Sequence, residues 1–223
     1  IYLGTPMSCG KSPEEQADLA ASLLDRLGIT RAGVMAVSGG GPCALQFGLR
    51  YPSLCSGLVL ASTCAGRITT GIPWAFQVMK ILARWDWFAD RLRRKTAADL
   101  EAAAGRSVSD PELLARTVRD REAWPLFTAL LLSTYDRMGR RIAGTENDIR
   151  VTRSLDLPLE RLDVSVLVVH GTADPHLPFE EHAGAFRDRV PKVEVLALDG
   201  GSHVAIFTHR RIVRPRVADF MVK

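Results

Sequence analysis

The chain has 223 residues, 47% of them hydrophobic and 24% charged, with 18 glycines and 12 prolines, which are globular proportions and exclude collagen-like, disulfide-knot and wholly disordered chains. The 29 basic residues against 25 acidic ones leave a formal charge of +4, too mild and too dispersed to argue for a nucleic-acid partner. No run approaches the ~18 consecutive apolar residues of a membrane-spanning helix.

Cys9, Cys43, Cys55 and Cys64 form no C-x-x-C pair and stand at no ligand spacing with histidine, so the sequence asks for no metal. Apolar surroundings such as Leu54-Cys55-Ser56-Gly57-Leu58 read as small buried thiols in a reducing, cytoplasmic compartment. The sequence opens on Ile1 rather than Met, so the want of a signal segment carries no weight.

Ser12-Pro13-Glu14-Glu15 is a capping box with proline at the first helical position. Leu19, Leu23, Leu24 and Leu27 follow as one apolar face, and Gly28 ends the helix. Residues 32–37 are apolar on both faces, which predicts a strand in a parallel sheet covered by helices on both sides. A helix over 42–50 stops before Pro52, and 57–62 is a second buried strand. From about 65 to 159 the strand rhythm disappears. Trp74, Val78, Met79 and Leu82 carry one helical pattern and Trp124, Phe127, Leu131 and Tyr135 another, while Ser109-Asp110-Pro111-Glu112 starts a further helix. Strands return at 164–169 and 193–198, with helices near 179–186 and 210–221. This order predicts an α/β fold, doubly wound around a mostly parallel sheet. Residues 1–64 and 160–223 are its core, and 65–159 a helical lid inserted into it. The run Arg91-Leu92-Arg93-Arg94-Lys95 reads as a solvated helix face.

Ala36-Val37-Ser38-Gly39-Gly40-Gly41 lies between a predicted strand and a helix. A serine on so tight a turn takes a strained backbone and pushes its hydroxyl out of the sheet's carboxyl edge. Small residues are then needed two before and two after it, here Ala36 and Gly40. The blander readings are a small turn residue or a phosphate loop, and for the latter both G-x-G-x-x-G and a closing Lys-Ser/Thr are missing. His170-Gly171-Thr172-Ala173-Asp174-Pro175 follows the third strand and Gly200-Gly201-Ser202-His203 the fourth. Asp174 and His203 therefore fall on the same carboxyl edge as Ser38, where open α/β sheets build their sites. A hydroxyl needs a base near neutral pH, and the base needs an acceptor to fix its tautomer. Of the other polar groups, His170 is expected on a backbone carbonyl and His176 on a loop at the rim. His182 and His209 are expected on helices facing solvent, and Asp199 is a substitute for Asp174.

Val37-Ser38-Gly39-Gly40-Gly41-Pro42, the Gly171-x-x-Asp174-x-x-x-Pro178 loop and Gly201-Ser202-His203 resemble the α/β-hydrolase superfamily, in its lidded esterase, lipase and aminopeptidase-like branch. The resemblance covers nearly the whole chain. It implies a serine hydrolase with Ser38 as nucleophile, His203 as general base and Asp174 as orienting acid, the Gly39 amide in the oxyanion hole, and no cofactor. It further implies cleavage of a small-molecule carboxylic ester through an acyl-enzyme. Amide or N-terminal-proline hydrolysis is the rival reading, for which the lid carboxylates Glu122, Asp136, Glu146 or Asp148 would hold the substrate amine. A non-catalytic binding protein of hydrolase shape is the other rival. Lid aromatics such as Trp74, Phe76, Trp124 and Phe127 are candidates for an acyl pocket and equally for helix-packing core. Ala36 stands where the usual G-x-S-x-G has its first glycine.

Only 37 residues precede Ser38, whereas the family usually places several strands before the elbow, and residues 3–12 resemble the loop after the fourth of these. A preceding segment of a longer chain, a second chain completing the sheet, or an inactive truncated relative would each account for this. The prediction is an unpaired apolar edge along residues 33–37, or another polypeptide filling it.

Overall fold

The computed structural model describes residues 6–69, 71 and 74–222, with 75 and 76 by backbone only. The expectations placed on residues 3–5 and on the Phe76 side chain lie outside the described residues. In chain order, α1 (Pro13–Arg26) leads to β1 (Ala32–Val37), α2 (Gly41–Arg50) and β2 (Cys55–Ala61). Helices α3 (Trp74–Leu82), α4 (Asp86–Ala98), α5 (Leu100–Gly105), α6 (Pro111–Arg119), α7 (Ala123–Ser133) and α8 (Met138–Arg153) then precede β3 (Val166–Gly171). A π-turn (Glu180–Gly184) runs into α9 (Ala185–Arg189), and β4 (Val193–Leu198), the short α10 (Ala205–Thr208) and α11 (Arg210–Met221) close the chain. No helix among the described residues is long and apolar enough to cross a membrane.

The four strands are parallel and lie in the spatial order β1-β2-β3-β4. Side chains alternate across a strand, so an all-apolar strand needs cover on both faces. On one face Leu58, Leu60, Val166 and Val168 meet Ala17 of α1, Leu45 and Phe47 of α2 and Phe186 of α9. On the other, Val59, Ala61, Leu167 and Val169 meet Ala205 of α10 and Val213 and Phe220 of α11. The sheet is thus doubly wound, as the strand and helix order predicts. β3 runs two residues past its predicted end, which takes His170 into the sheet as a fully buried residue.

β1 departs from the expectation of a strand buried on both faces. Met35 is 48% and Val37 42% exposed, because β1 is an edge strand that pairs with β2 alone among the described residues. The unpaired apolar edge expected along 33–37 is therefore present, and it borders a groove of about 560 Å³ walled by α1, β1 and α2. The capping box of α1 forms in full: Ser12 Oγ accepts from Glu15 N–H at 3.2 Å and Glu15 Oε2 accepts from Ser12 N–H at 3.1 Å. Gly28, at φ 67°, ends the helix as expected. The predicted leucine face does not point inward, however. Leu19, Leu23 and Leu27 are exposed, while Ala17 and Ala21 fill the core contact with Leu24 beside them.

The helices between β2 and β3 have their own small core of Ala104, Val108, Leu113 and Phe127, joined by Trp124, Leu131, Val204 and Phe207. Phe127 stacks on Phe207 at 5.2 Å and meets Trp124 edge-on at 6.3 Å. Fully buried there, Phe127 is helix-packing core, one of its two sequence readings. Trp124 belongs to the same cluster, and Trp74 stands exposed on α3. Val204 and Phe207 directly follow His203, so this core braces the segment that carries the histidine.

Candidate active site

β1 delivers the chain to the carboxyl edge of the sheet, where it turns at once through a 3-10 turn (Ser38–Gly40) into α2. Ser38 has φ 50°, the left-handed region that a β-carbon disfavours, so the strain expected of the elbow is there. Two hydrogen bonds hold it. Thr63 Oγ1, just beyond β2, donates to the Ser38 carbonyl at 2.6 Å, and the Gly41 N–H donates to the same oxygen. The glycine this turn cannot do without is Gly41: a β-carbon there would overlap Thr63 Oγ1 and lie 2.7 Å from Thr63 Cβ. At Gly40 it would meet only the Ala36 methyl at 3.7 Å, an ordinary contact. The small-residue requirement expected two places after Ser38 thus bears three places after it, and Ala36 fits without strain.

The loops after β3 and β4 are laced together. Ala173 N–H donates to the Gly201 carbonyl and Thr172 N–H to that of Leu198, each at 2.9 Å, and Gly200 N–H donates to Thr172 Oγ1 at 2.9 Å. Glycine is required for this approach, because a β-carbon on Gly171 would overlap the Gly201 carbonyl. Asp174 Oδ1 accepts the N–H groups of His176 at 2.9 Å and Leu177 at 3.1 Å. Asp174 Oδ2 lies 2.7 Å from His203 Nδ1. A carboxylate accepts only, so Nδ1 carries the imidazole proton. Nε2 is left as an acceptor, 2.9 Å from Ser38 Oγ. Burial pushes the Asp174 carboxyl up, but the hydrogen bond and charge of His203 and the two amides outweigh it, and the group stays below the usual carboxylate range.

The structure therefore brings Ser38, His203 and Asp174 together, with Gly39 next to the serine. Asp199 is not the partner of His203; its carbonyl accepts from His209 Nε2 at 3.1 Å. His170 Nε2–H donates to the Leu177 carbonyl at 2.8 Å, a backbone carbonyl as expected. His176 stands edge-on to the His203 ring at 5.4 Å. Two expectations fail. His182 and His209 are buried rather than solvent-facing: His182 Nδ1 accepts the Ala65 N–H at 3.4 Å, and His209 Nδ1 meets Thr208 Oγ1 at 2.9 Å. Both helical patterns were too short to fix which side faced the sheet. The four thiols are unpaired, yet only Cys55 and Cys64 are fully buried, and Cys9 is exposed. Burial pushes Cys43 and Cys64 up to about 11 and Cys55 upward as well, so none of these three offers a thiolate near neutral pH. Among the described residues no group of three or more His, Cys, Asp or Glu side chains could hold a metal ion. Sequence reading missed Thr63, whose signal was its place directly after a buried strand on the site's own edge.

The family described as the alpha/beta hydrolase fold matches residues 6–210, and with it the elbow, both loops and the helices between them. The chain belongs to this family. The alpha/beta hydrolase fold protein from Nakamurella multipartita superposes with a TM-score of 0.80 at 30% identity, over 98% of this chain and 78% of that one. The enol-lactonase from Burkholderia xenovorans shares the fold, with a TM-score of 0.67 at 19% identity over 95% of this chain and 74% of its own. In sequence, the poly(3-hydroxyalkanoate) depolymerase of Ectopseudomonas oleovorans is 27% identical over 213 residues, 92% of this chain and 66% of the depolymerase. The chain spans less than two thirds of the length of the curated relatives it matches. In this alpha/beta hydrolase, then, a hydroxyl, an imidazole and a carboxylate form one hydrogen-bonded line on the carboxyl edge of the sheet.

Proposed function

We propose that this alpha/beta hydrolase is a serine hydrolase that cleaves a carboxylic ester through an acyl-enzyme. The observation that carries the reading is the unbroken line from Ser38 Oγ to His203 Nε2 at 2.9 Å and from His203 Nδ1 to Asp174 Oδ2 at 2.7 Å. Ser38 attacks the ester carbonyl as His203 Nε2 takes its proton, and the Asp174 carboxylate stabilises the imidazolium and holds its tautomer. The oxyanion faces the Gly39 N–H, in the first turn toward α2, where helical geometry leaves amides without helical partners. A donor so placed is worth about 2.7–4 kcal/mol in the transition state. His203 returns its proton to the leaving alcohol. Water, deprotonated by the same imidazole, then releases the acid from Ser38.

Two observations favour an ester over a substrate amine. The depolymerase relative is named for a polyester. Three of the carboxylates that an aminopeptidase would turn toward an amine are already engaged: Glu122 with Arg210 and Arg214, Asp136 with Arg93, and Glu146 with Lys80. Burial also pushes the Asp148 carboxyl upward, which disfavours its anion.

Fluorophosphonate labelling and a panel of short p-nitrophenyl esters against aminoacyl anilides test the reading. The protein should label, and turn esters over faster than anilides. Ser38→Ala should abolish labelling and lower kcat by roughly 10⁴-fold or more. A folded protein that takes no label would be the non-catalytic binder instead, and faster anilide turnover would make it a peptidase.

A further inference from the structure

Every residue of β3 is buried, and all are apolar or glycine except His170. Its neighbours in the pattern, Val166 and Val168, belong to the core on that face, so position 170 is one where a leucine or phenylalanine would satisfy the hydrophobic demand. The imidazole is wholly shielded, stands edge-on to Phe179 at 5.9 Å, and leaves Nδ1 buried without a hydrogen-bond partner among the described residues. A buried polar atom left unsatisfied is costly and calls for a reason. The other nitrogen supplies one. The Leu177 carbonyl only accepts, so the His170 proton sits on Nε2, which donates to that carbonyl at 2.8 Å and lies 3.6 Å from Asp174 Oδ2.

The Leu177 N–H is one of the two amides that Asp174 Oδ1 accepts, so the peptide groups of residue 177 are held from both sides, by His170 at the carbonyl and by Asp174 at the amide. We propose that His170 is a positioning residue: its Nε2–H closes the turn from Asp174 to Leu177 and so keeps Asp174 Oδ2 aimed at His203 Nδ1. At 3.6 Å its contact with Oδ2 is too long for a hydrogen bond, and it acts through the turn. Burial holds the imidazole neutral near neutral pH, so it orients the carboxylate without neutralising it. The titratable groups around it are Asp174, His182 and His203. The inference rests on the catalytic reading of Ser38, His203 and Asp174.

The test compares His170→Phe, His170→Met and His170→Gln with the wild type, measuring kcat and KM on a p-nitrophenyl ester across pH, with fluorophosphonate labelling rates and a thermal melt for each. His170→Phe should lose roughly 10- to 100-fold in kcat with KM within about 2-fold, since a misplaced carboxylate spoils the transition state more than binding. The pH profile of kcat/KM should also depart from that of the wild type, which a merely structural loss would leave in place. His170→Gln, whose amide can donate to Leu177, should recover most of the rate. If His170→Phe fails to fold, the unbranched His170→Met takes its place against His170→Gln. A folded apolar variant with the wild-type rate and pH profile would overturn the proposal, as would a glutamine variant no better than the apolar one. Ser38→Ala separates the two failures. If it leaves hydrolysis intact, the catalytic reading falls; if it abolishes hydrolysis while His170→Phe behaves as wild type, the positioning role alone falls.

Discussion

Ser38 and Gly41 share one turn but answer to different forces. Ser38 holds a left-handed backbone because the following helix fixes its carbonyl against Thr63 and the Gly41 amide. Gly41 is glycine because the Thr63 side chain occupies the space of a β-carbon. Gly41→Ala should therefore force the turn away from Thr63, costing about 1–3 kcal/mol of stability and slowing fluorophosphonate labelling of Ser38. Gly40→Ala, whose new methyl finds only Ala36 at 3.7 Å, should stay within about 0.5 kcal/mol of wild type. Urea midpoints of the two variants check the contrast, and equal losses would count against it. The strand-serine-glycine pattern made the elbow legible. The partner that makes Gly41 obligatory was not legible, because it arrives from 22 residues away through the pairing of β1 with β2.

At the scale of the element, α1 shows how a correct helix can carry a misread face. Its start and stop are local chemistry, written in Ser12, Glu15 and Gly28, and they formed as read. Its orientation is tertiary. The small side chains of Ala17 and Ala21 fill its contact with the core with Leu24 beside them, while Leu19, Leu23 and Leu27 turn away, Leu23 to the groove beside β1. The exposed Leu23 and Met35 border an unpaired strand edge, a template for association. Leu23→Lys with Met35→Lys should lower the concentration-dependent light scattering of this chain without changing its helix content by circular dichroism. Unchanged scattering would place the association elsewhere. Ser12→Ala should cost about 1 kcal/mol through loss of the cap.

At the scale of the whole molecule, three buried imidazoles couple folding to pH. Burial lowers the titration of His170, His182 and His209, against a backbone carbonyl's opposing pull at His170 and His209. Below about pH 6.5 the unfolded chain therefore takes up protons that the folded chain refuses, and stability falls as the pH falls. The depressed Asp174 carboxyl acts in the same direction, but only below about pH 3.9. The melting temperature should be lower near pH 5.5 than near pH 7.5, and His182→Asn should flatten that slope. A melting temperature that holds or rises on acidification would contradict this.

The sequence by itself determined the alternation of strands and helices, the caps, the elbow and the carboxyl edge on which Ser38, Asp174 and His203 had to fall. These depend on neighbours along the chain and on periods of 2 and 3.6 residues, which survive in one dimension. Only the tertiary structure decided that Phe127 is core and that His182 and His209 are buried. Those outcomes turn on which surfaces are pressed together once the sheet has formed. A contact between residues 171 and 201, or 41 and 63, is set by the register of parallel strands, and no local pattern encodes it.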